Sequence, residues 1–431
     1  MHIHFIGIGG AGIGPLAIVA KRAGYYVSGS DLQNSDTIEY LEKIGIKDVI
    51  IGDDEKALQQ INSRNKVDWV VYTSSLTINN LNPAVLRFAK ENNIKATKRD
   101  AFLVYFLKIK KLKLIAIAGT HGKTTTTAML VWLFKSFNIP ISYLLPATTN
   151  YADLGDYDEE SEYFVYEADE FDYNFLAFSP EISIISGVSY DHHEIFKTVE
   201  IYKKAFIDFI AQSKNTLIYN NDANYLGINN TPGIEIISND DPLIEHIKLL
   251  GLYNRQDAFL VSKIFSYLSN YSLENVFKIM SEFPGLHRRM EQIYPNLYTD
   301  YAHTPEKIKA ALNVAKEMVA DTHQKIIVVY EPLTNRRQLH IQDQYGDTFK
   351  DADRLYWIDS YLAREDPSDP IIPPSELIKK ISNPEIAEPQ KRGPELLTII
   401  KKHLDDGDFV IGISGGGGNS LDEWLRKSFL S

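Results

Sequence analysis

The chain has 431 residues, no cysteine and a formal net charge of −12 at pH 7. The lack of cysteine excludes disulfides, thiolate catalysis and cysteine-ligated metals, and the acidic balance argues against a general nucleic-acid-binding protein. Hydrophobic residues make up 44% and charged residues 24%, as in ordinary globular proteins, and the length suggests about two to four domains of roughly 100–200 residues.

No membrane partner is expected, because no apolar run approaches the ~20 residues that a spanning helix needs. The N-terminal segment Met1-His-Ile-His-Phe-Ile-Gly lacks the basic start and long apolar stretch of a signal peptide. We therefore predict a cytoplasmic protein.

The first block of the chain, residues 1–107, alternates predicted strands with predicted helices. The strands are predicted at residues 2–6, 25–31, 49–51, 69–72 and 95–97, and the helices after Gly12 and at residues 83–92. Such alternation indicates a parallel, doubly wound sheet, that is, a Rossmann-like domain. The basic stretch Lys108–Lys113 that follows is predicted to be a linker or the approach to a strand.

A glycine-rich loop, Gly7-x-Gly-x-x-Gly12, follows the first strand, and Asp31 ends the second. This spacing is that of a dinucleotide-binding loop, with Asp31 placed to bind a ribose. An NAD-dependent oxidoreductase is one interpretation. A UDP-sugar would satisfy the same physics, and so would a tight turn that binds nothing.

The second block, residues 108–284, opens with a stronger motif. An apolar strand starting at Lys113 leads into Gly119-Thr-His-Gly-Lys-Thr-Thr125 and then into a helix. Backbone N–H groups at such a helix N-terminus bind phosphate, Lys123 can reach the β- and γ-phosphates, and the Thr124 hydroxyl can ligate Mg²⁺. The eight-residue Walker pattern is incomplete, since Ile117 stands where its first glycine would be. The segment predicts ATP binding.

Two polar segments follow later strands of this block. Glu167-Ala-Asp-Glu-Phe-Asp172 concentrates carboxylates at a strand end, where they commonly hold Mg²⁺ beside a nucleotide, although a solvated acidic loop is the alternative. Ser189-Tyr-Asp-His-His193 offers His192 as a metal ligand, a substrate contact or a plain loop residue.

The third block, residues 285–431, is again α/β. Its strands are predicted at residues 297–300, 325–330, 354–358 and 408–413, with a helix at 305–318 and a proline-rich loop at 366–374. Arg288-Arg289 suits phosphate or carboxylate binding, and Asp300 ends a strand, where it can accept hydrogen bonds from a ribose.

Taken in order, these motifs resemble the Mur ligase family of peptidoglycan synthesis. The segments that carry the resemblance are Gly-Thr-His-Gly-Lys-Thr-Thr-Thr-Thr, Glu-Ala-Asp-Glu, Asp-His, Arg-Arg-Met-Glu and Asp-Tyr-Ala-His-Thr-Pro. The resemblance covers essentially the whole chain. It implies three α/β domains: a Rossmann-like UDP-sugar domain (1–107), a central P-loop ATPase-like domain (108–284) and a Rossmann-like C-terminal domain (285–431) that closes on ATP and binds the acceptor.

The implied reaction joins an amino acid to UDP-N-acetylmuramate through an acyl phosphate, with ATP and Mg²⁺. Lys123, Glu167 and His192 would be catalytic. Thr124 and Glu167 would ligate one Mg²⁺, and His192 would ligate a second. The implied binding residues are Gly119, Thr120, His121, Gly122, Lys123, Thr124, Thr125, Asn254, Arg289 and Asp300 for ATP; Gly9, Gly10, Ala11, Gly12, Asp31, Ser74 and Ser75 for the UDP-sugar; and Tyr301, His303 and Arg337 for the acceptor.

The acceptor is the open point. The first domain, through Ile3-His-Phe-Ile-Gly-Ile-Gly-Gly-Ala-Gly12, and the histidine of the phosphate loop resemble the branch that adds L-alanine. The third domain, through Glu331-Pro-Leu-Thr-Asn335 and Ile413-Ser-Gly-Gly-Gly-Gly418, is closer to the recycling branch that attaches an intact tripeptide. L-Alanine is favoured as the acceptor. The protein is expected to be a monomer or homodimer. A family member that binds the nucleotide sugar without ligation, as a regulator, is the non-enzymatic alternative.

Overall fold

The computed structural model describes residues 1–52, 55–73, 76, 83–192, 195–228, 231–362 and 371–429. Ser74, Ser75 and most of the predicted 366–374 loop therefore lie outside the described residues. The chain forms two compact units: Met1–Lys248 with Gln256–Phe283, and Leu249–Arg255 with Pro284–Ser431.

The first unit begins with a five-stranded parallel sheet, as the alternating pattern predicts. Its strands are β1 (His2–Ile6), β2 (Tyr26–Asp31), β3 (Val49–Ile51), β4 (Trp69–Tyr72) and β5 (Lys95–Lys98), in the order β3-β2-β1-β4-β5. Its helices are Gly14–Arg22, Asp36–Lys43, Glu55–Arg64, Ala84–Glu91 and Arg99–Lys110. The central position of β1 places the loop that follows it at the middle of the sheet edge.

The basic stretch after this sheet is the end of a helix followed by the approach to a strand. The linker alternative was therefore wrong, and the strand approach was confirmed for the last residues, which lead into the strand that begins at Lys113. Lys108–Lys110 form the last turn of the helix Arg99–Lys110, which ends where Lys111 adopts a left-handed conformation with φ of 58°. Lysines near a helix C-terminus complement the negative end of its dipole. The predicted domain boundary at residue 107 falls inside this helix, and the three-domain boundaries stay predictions.

The second sheet of the first unit has seven strands in the order β12-β11-β10-β6-β9-β7-β8. They are β6 (Lys113–Ala118), β7 (Ser142–Leu144), β8 (Gly155–Asp156), β9 (Tyr163–Glu167), β10 (Ile182–Ile185), β11 (Asn215–Tyr219) and β12 (Ile234–Ile237), and only the β7–β8 pairing is antiparallel. Its helices are Lys123–Ser136, Val199–Gln212, Asn220–Leu226, Leu252–Ser269 (whose first turn is assigned to the second unit) and Leu273–Met280.

These two sheets share one hydrophobic core, which explains why they form a single compact unit. The core runs from Phe5 through Phe102 and Phe106 to Phe164. At its rim, Arg22 pairs with Asp153 and Asp156 across the two sheets. The loops after β1 and β6 are thereby held in fixed relation to each other.

The second unit contains a six-stranded sheet, β13-β14-β18-β15-β16-β17, in which only β13 and β14 pair antiparallel. The strands are β13 (Glu291–Tyr294), β14 (Leu297–Asp300), β15 (Ile326–Glu331), β16 (Arg354–Trp357), β17 (Ala387–Pro389) and β18 (Phe409–Ser414). Its helices, Pro305–Val319, Asn335–Ile341, Pro374–Ile378, Pro394–Asp405 and Leu421–Phe429, accompany two separate clusters of buried apolar side chains. The sheet is the predicted α/β arrangement.

Among the residues that the structure describes, no helix is both long enough and apolar enough to cross a membrane.

Candidate active site

The phosphate-binding motif lies at the carboxyl end of β6, in the middle of its sheet. The loop turns at Gly122, which has φ of 74° and caps the helix Lys123–Ser136. Glycine is needed here for two reasons: the conformation is left-handed, and a Cβ would lie 2.6 Å from Oδ2 of the buried Asp257. The turn therefore places the first backbone N–H groups of the helix at the carboxyl end of β6, where an anion site requires them.

Lys123 is the cation of this loop and is already engaged by an acid. Its ammonium donates to the Gly119 carbonyl and lies 2.6 Å from Oε2 of Glu170, whose side chain is only 1% exposed. Burial lowers the pKa of Lys123, but the carboxylates of Glu170, Asp169 and Glu167 outweigh burial and raise the pKa above its ordinary value. The lysine is consequently a permanent positive charge that a phosphate could draw from Glu170.

Thr124 and Glu167 form a pair suited to a hard cation. Glu167 ends β9, in register with Ile117 of the neighbouring β6, and its Oε2 accepts a hydrogen bond of 2.8 Å from the Thr124 hydroxyl. An ionised carboxylate and a hydroxyl in contact are the oxygen ligands that Mg²⁺ takes beside a nucleotide. The residues present thus fit the Mg²⁺ that the sequence predicts.

His192 lies beside two acids of the 167–172 segment, Asp169 and Glu170. Its ligand atoms and those of Asp169 and Glu170 lie within 4.8 Å of one another, and Nε2 of His192 is 3.7 Å from Oε1 of Glu170. Thr124 with Glu167, and His192 with Asp169 and Glu170, thus form two neighbouring groups. The resemblance likewise assigns His192 to a second Mg²⁺. The role of His192 in metal binding stays a prediction.

The backbone is strained around these acids. Asp172, Tyr173 and His192 all have positive φ, between 54° and 57°, which is uncommon for residues with side chains. Such conformations cost roughly 1–3 kcal/mol each and tend to cluster at functional sites.

Two other predicted ATP residues of the loop, Thr120 and His121, bind the segment that follows β10. Thr120 donates to the Ser189 carbonyl at 2.7 Å and contacts the Tyr202 hydroxyl, while the His121 ring contacts the Ser189 hydroxyl. Thr125 lies, half-buried, in the first turn of the helix. Thr120 and His121 therefore fix the phosphate loop to Ser189 and Tyr202.

The glycine loop after β1 has a simpler environment. Both carboxylate oxygens of Asp31 accept backbone N–H groups, one from Gly9 at 2.9 Å and one from Leu32 at 2.8 Å. Gly10 and Ala11 are exposed at the loop tip. Asp31, predicted as a ribose contact, is thus also a support of the loop.

The predicted residues of the second unit lie in two places. Asp300 and Tyr301 lie at the carboxyl end of β14, whereas Asn254 lies beside Gly251, whose N–H donates to Glu317 near the C-terminal end of the helix Pro305–Val319. Asn254 donates to the Leu250 carbonyl at 2.8 Å, and both carboxylate oxygens of Asp300 accept backbone N–H groups. The Arg289 guanidinium lies 5.2 Å from the centre of the Tyr301 ring. The roles of these four residues in binding ATP or acceptor stay predictions.

His303 is buried in the second unit beside a glycine-rich loop. A Cβ on Gly415 would lie 2.7 Å from the Cβ of His303, so the loop backbone packs directly on this side chain. Burial lowers the pKa of His303 well below its ordinary value, and the charges of Lys307 and Arg337 act in the same direction. The imidazole is therefore neutral near pH 7, and Arg337 is close enough to influence it.

Three residues at the site of the first unit escaped the sequence-based selection. Glu170 and Asp169 lie within the quoted acidic motif, and the concentration of carboxylates was a signal for both. Arg99, the first residue of its helix, has an ion pair of 3.8 Å with Asp169. Neither periodicity nor motif spacing marks Arg99, because its importance comes only from tertiary packing.

Comparison with protein families gives matches to three descriptions along the chain. "Mur ligase family, catalytic domain" matches residues 2–110, "Mur ligase middle domain" matches residues 117–250, and "Mur ligase, glutamate ligase domain" matches residues 288–415.

Among curated relatives, the chain is 32% identical over 450 residues to the UDP-N-acetylmuramate–L-alanine ligase of Clostridium novyi, covering 96% of this chain and 94% of that one. It is 31% identical over 469 residues to the protein of the same name from Acetivibrio thermocellus, with 99% and 96% covered.

Two solved structures share the fold. The UDP-N-acetylmuramate-alanine ligase of Thermotoga maritima superposes with a TM-score of 0.76 at 23% identity, covering 99% of this chain and 98% of that one. A murein peptide ligase of Psychrobacter arcticus gives a TM-score of 0.65 at 23% identity, with 100% and 98% covered. At these identities the likeness concerns the fold alone.

Proposed function

The chain belongs to the Mur ligase family, and from this premise we propose that it joins L-alanine to the lactyl carboxylate of UDP-N-acetylmuramate, driven by ATP, in peptidoglycan precursor synthesis. The relatives named for this reaction match nearly the entire chain. The enzyme class that follows is an ATP-dependent, amide-forming ligase.

The observation that carries the proposal is the arrangement at the end of β6. Lys123 stands at the start of a helix, 2.6 Å from a carboxylate it can exchange for phosphate, and Thr124 contacts Glu167 at 2.8 Å. A protein that only bound a nucleotide sugar would have no need of a lysine and a cation site at a second phosphate loop. The intact set therefore supports catalysis over the regulatory alternative.

The reaction proceeds in two displacements. A lactyl carboxylate oxygen attacks the γ-phosphorus of ATP, the bond to the β,γ-bridging oxygen breaks, and ADP leaves. The amine nitrogen of L-alanine then attacks the acyl carbon, the bond to the phosphate oxygen breaks, inorganic phosphate leaves, and the nitrogen loses a proton. Lys123 would stabilise the charge on the transferring phosphoryl group, and the helix N-terminus would hold the remaining phosphates.

Mg²⁺ would neutralise charge on the phosphate oxygens when bound. Thr124 and Glu167 are the residues that we propose hold it, since their oxygens are already in contact. For His192 we retain a role at a second Mg²⁺, with Asp169 and Glu170 as its neighbours.

The recycling reaction, with an intact tripeptide as acceptor, is the second candidate. It is favoured by the third-domain segments Glu331-Pro-Leu-Thr-Asn335 and Ile413-Ser-Gly-Gly-Gly-Gly418. An NAD-dependent oxidoreductase is disfavoured by the family membership, although its glycine-loop spacing is present. We further propose that the protein works in the cytoplasm, as a monomer or homodimer.

The test is phosphate release from Mg-ATP and UDP-N-acetylmuramate with L-alanine, L-serine, glycine or the L-Ala-γ-D-Glu-diaminopimelate tripeptide. We expect L-alanine to give the highest kcat/KM. Phosphate release that requires the tripeptide would show that the protein catalyses the recycling reaction instead. No release with any acceptor, together with intact binding of UDP-N-acetylmuramate, would favour the regulator.

A further inference from the structure

Arg99 occupies the place where a side chain of Gly12 would be. A Cβ on Gly12 would lie 1.8 Å from Nη1 of Arg99 and 3.0 Å from its Cζ. The guanidinium therefore lies directly against the backbone of the first glycine loop. A side chain at position 12 would therefore push the end of the arginine aside.

Among the residues that the structure describes, the guanidinium has only long contacts to carboxylates. Its nearest carboxylate oxygens are 3.4 Å away on Asp100 and 3.8 Å away on Asp169, beyond the ~2.7–2.9 Å of charge-assisted hydrogen bonds. Nε of Arg99 is buried and has no hydrogen-bond acceptor among the described residues. Because the side chain is only 17% exposed, water offers little compensation. An anion bound at the loop would supply the missing acceptors.

The location of Arg99 matches what a diphosphate needs. Gly12 lies two residues before the helix Gly14–Arg22, whose N-terminus carries partial positive charge. The loop itself offers no cationic side chain, as its sequence is Gly7-Ile-Gly-Gly-Ala-Gly12. Arg99 brings a planar set of donors, suited to bidentate phosphate contacts, to this helix end from another part of the chain.

We propose that Arg99 binds the diphosphate of the sugar nucleotide at the Gly9–Gly12 loop. This inference rests on the proposed function, because it takes the UDP-sugar as the ligand of that loop. In the bound state, the negative charge of the diphosphate would replace the long ion pairs of Arg99 with Asp100 and Asp169.

Arg99 could instead serve only to join the two sheets of the first unit, and Arg22 provides the matched control. Arg22 also pairs across the two sheets, with Asp153 and with Asp156 at 2.7 Å. It stands at the far end of the helix Gly14–Arg22, roughly 12 Å along the axis from the loop at ~1.5 Å per residue. A purely structural arginine should behave as Arg22 does.

The experiment compares Arg99→Gln, Arg99→Lys and Arg22→Gln with the wild type in steady-state phosphate release. UDP, added as a competitive inhibitor, reports on the diphosphate without the sugar. We expect Arg99→Gln to raise the KM for UDP-N-acetylmuramate and the inhibition constant of UDP by about tenfold or more, with the KM for ATP changed less than about twofold. Arg99→Lys should recover part of both losses, and Arg22→Gln should leave both constants unchanged.

The outcomes separate the inference from its premise. Wild-type enzyme that fails to use UDP-N-acetylmuramate with ATP would refute the proposed function. Normal wild-type turnover with an unchanged KM in Arg99→Gln would refute the role of Arg99 alone. A KM that rises while the inhibition constant of UDP stays constant would move the contact away from the diphosphate. Equal rises in the KM values for UDP-N-acetylmuramate and ATP would show that Arg99 is only a structural residue. This result, like an unchanged inhibition constant of UDP, would overturn the inference.

Discussion

The loop at Gly7–Gly12 and the loop at Gly119–Gly122 share a backbone plan. Each leaves the carboxyl end of a strand in the interior of a parallel sheet, and each enters a helix. Each helix end therefore carries the partial positive charge that favours an anion. The two loops even belong to one compact unit, with a shared core.

Their side chains differ sharply. The second loop has its own lysine and threonine, and three carboxylates stand at the neighbouring strand end: Glu167, Asp169 and Glu170. The first loop has no ionisable side chain of its own and depends on Asp31 and Arg99 from elsewhere. A loop that only holds a substrate can have its charge supplied from outside. A loop where phosphate is transferred needs cation and metal ligands fixed on the elements that form it.

The sharpest way to test this contrast is Lys123→Ala. Turnover should fall by about a thousandfold or more, since one group that stabilises a transferring phosphoryl charge is typically worth several kcal/mol. Binding of UDP-N-acetylmuramate, measured by calorimetry without ATP, should be largely unchanged. Affinity for the sugar nucleotide that falls along with turnover would show that the two loops do not divide the work as proposed.

Thr124→Val should shift the Mg²⁺ requirement of the second loop. The substitution removes the hydroxyl that contacts Glu167 while keeping the branched shape. The Mg²⁺ concentration for half-maximal rate at saturating ATP should rise about tenfold or more, as for other losses at metal sites. Thr124→Ser is the matched control, because it keeps the hydroxyl, and its Mg²⁺ dependence should resemble the wild type. A lower kcat with an unshifted Mg²⁺ dependence would remove Thr124 from the metal site.

The strands that precede the two loops differ as well. Only β1 of these two strands carries a buried histidine, so the effect of pH on stability tests this difference. The side chains of β6 after Lys113 are apolar, whereas β1 carries the buried His4, whose ring contacts the Ser28 hydroxyl at 2.8 Å. Burial, assisted by the charge of His2, lowers the pKa of His4 to about 3. His4 is therefore neutral in the folded protein at pH values where the unfolded chain already binds a proton.

Stability should consequently fall as pH drops from the unfolded pKa of about 6.5 towards the folded pKa of about 3. By pH 5 the loss from one such histidine is about 2 kcal/mol. His4→Gln should reduce this acid loss, measured as the difference in urea midpoint between pH 7.5 and pH 5. The exposed His246 supplies the control, and His246→Gln should leave the difference unchanged. An undiminished acid loss in His4→Gln would mean that other groups dominate it.

Much of this unit could be predicted from sequence, for local reasons. Alternating apolar strands and helices gave the parallel sheets, and the Gly119–Thr125 motif predicted the phosphate loop, because both depend on near neighbours in the chain. For Lys108–Lys110 the linker alternative was wrong, because lysines suit a helix end as well as a linker. The pairing of Lys123 with Glu170, the grouping of His192 with Asp169, and Arg99 against Gly12 depend on contacts between residues 23 to 87 positions apart. No local pattern records them.

Asp31→Ala is the mildest test and bears on the first loop alone. The carboxylate accepts the Gly9 and Leu32 N–H groups, so its loss loosens the loop that would hold the sugar nucleotide. A hydrogen bond to a charged group is worth about 1.5–3 kcal/mol, which predicts a KM for UDP-N-acetylmuramate raised about tenfold and a KM for ATP that is nearly constant. Asp48→Ala is the control, because Asp48 pairs with Arg64 outside the loop. Equal rises of both KM values in Asp31→Ala would mean that the two loops are mechanically coupled through their shared core. The origin of their charged side chains would then no longer explain how the loops differ.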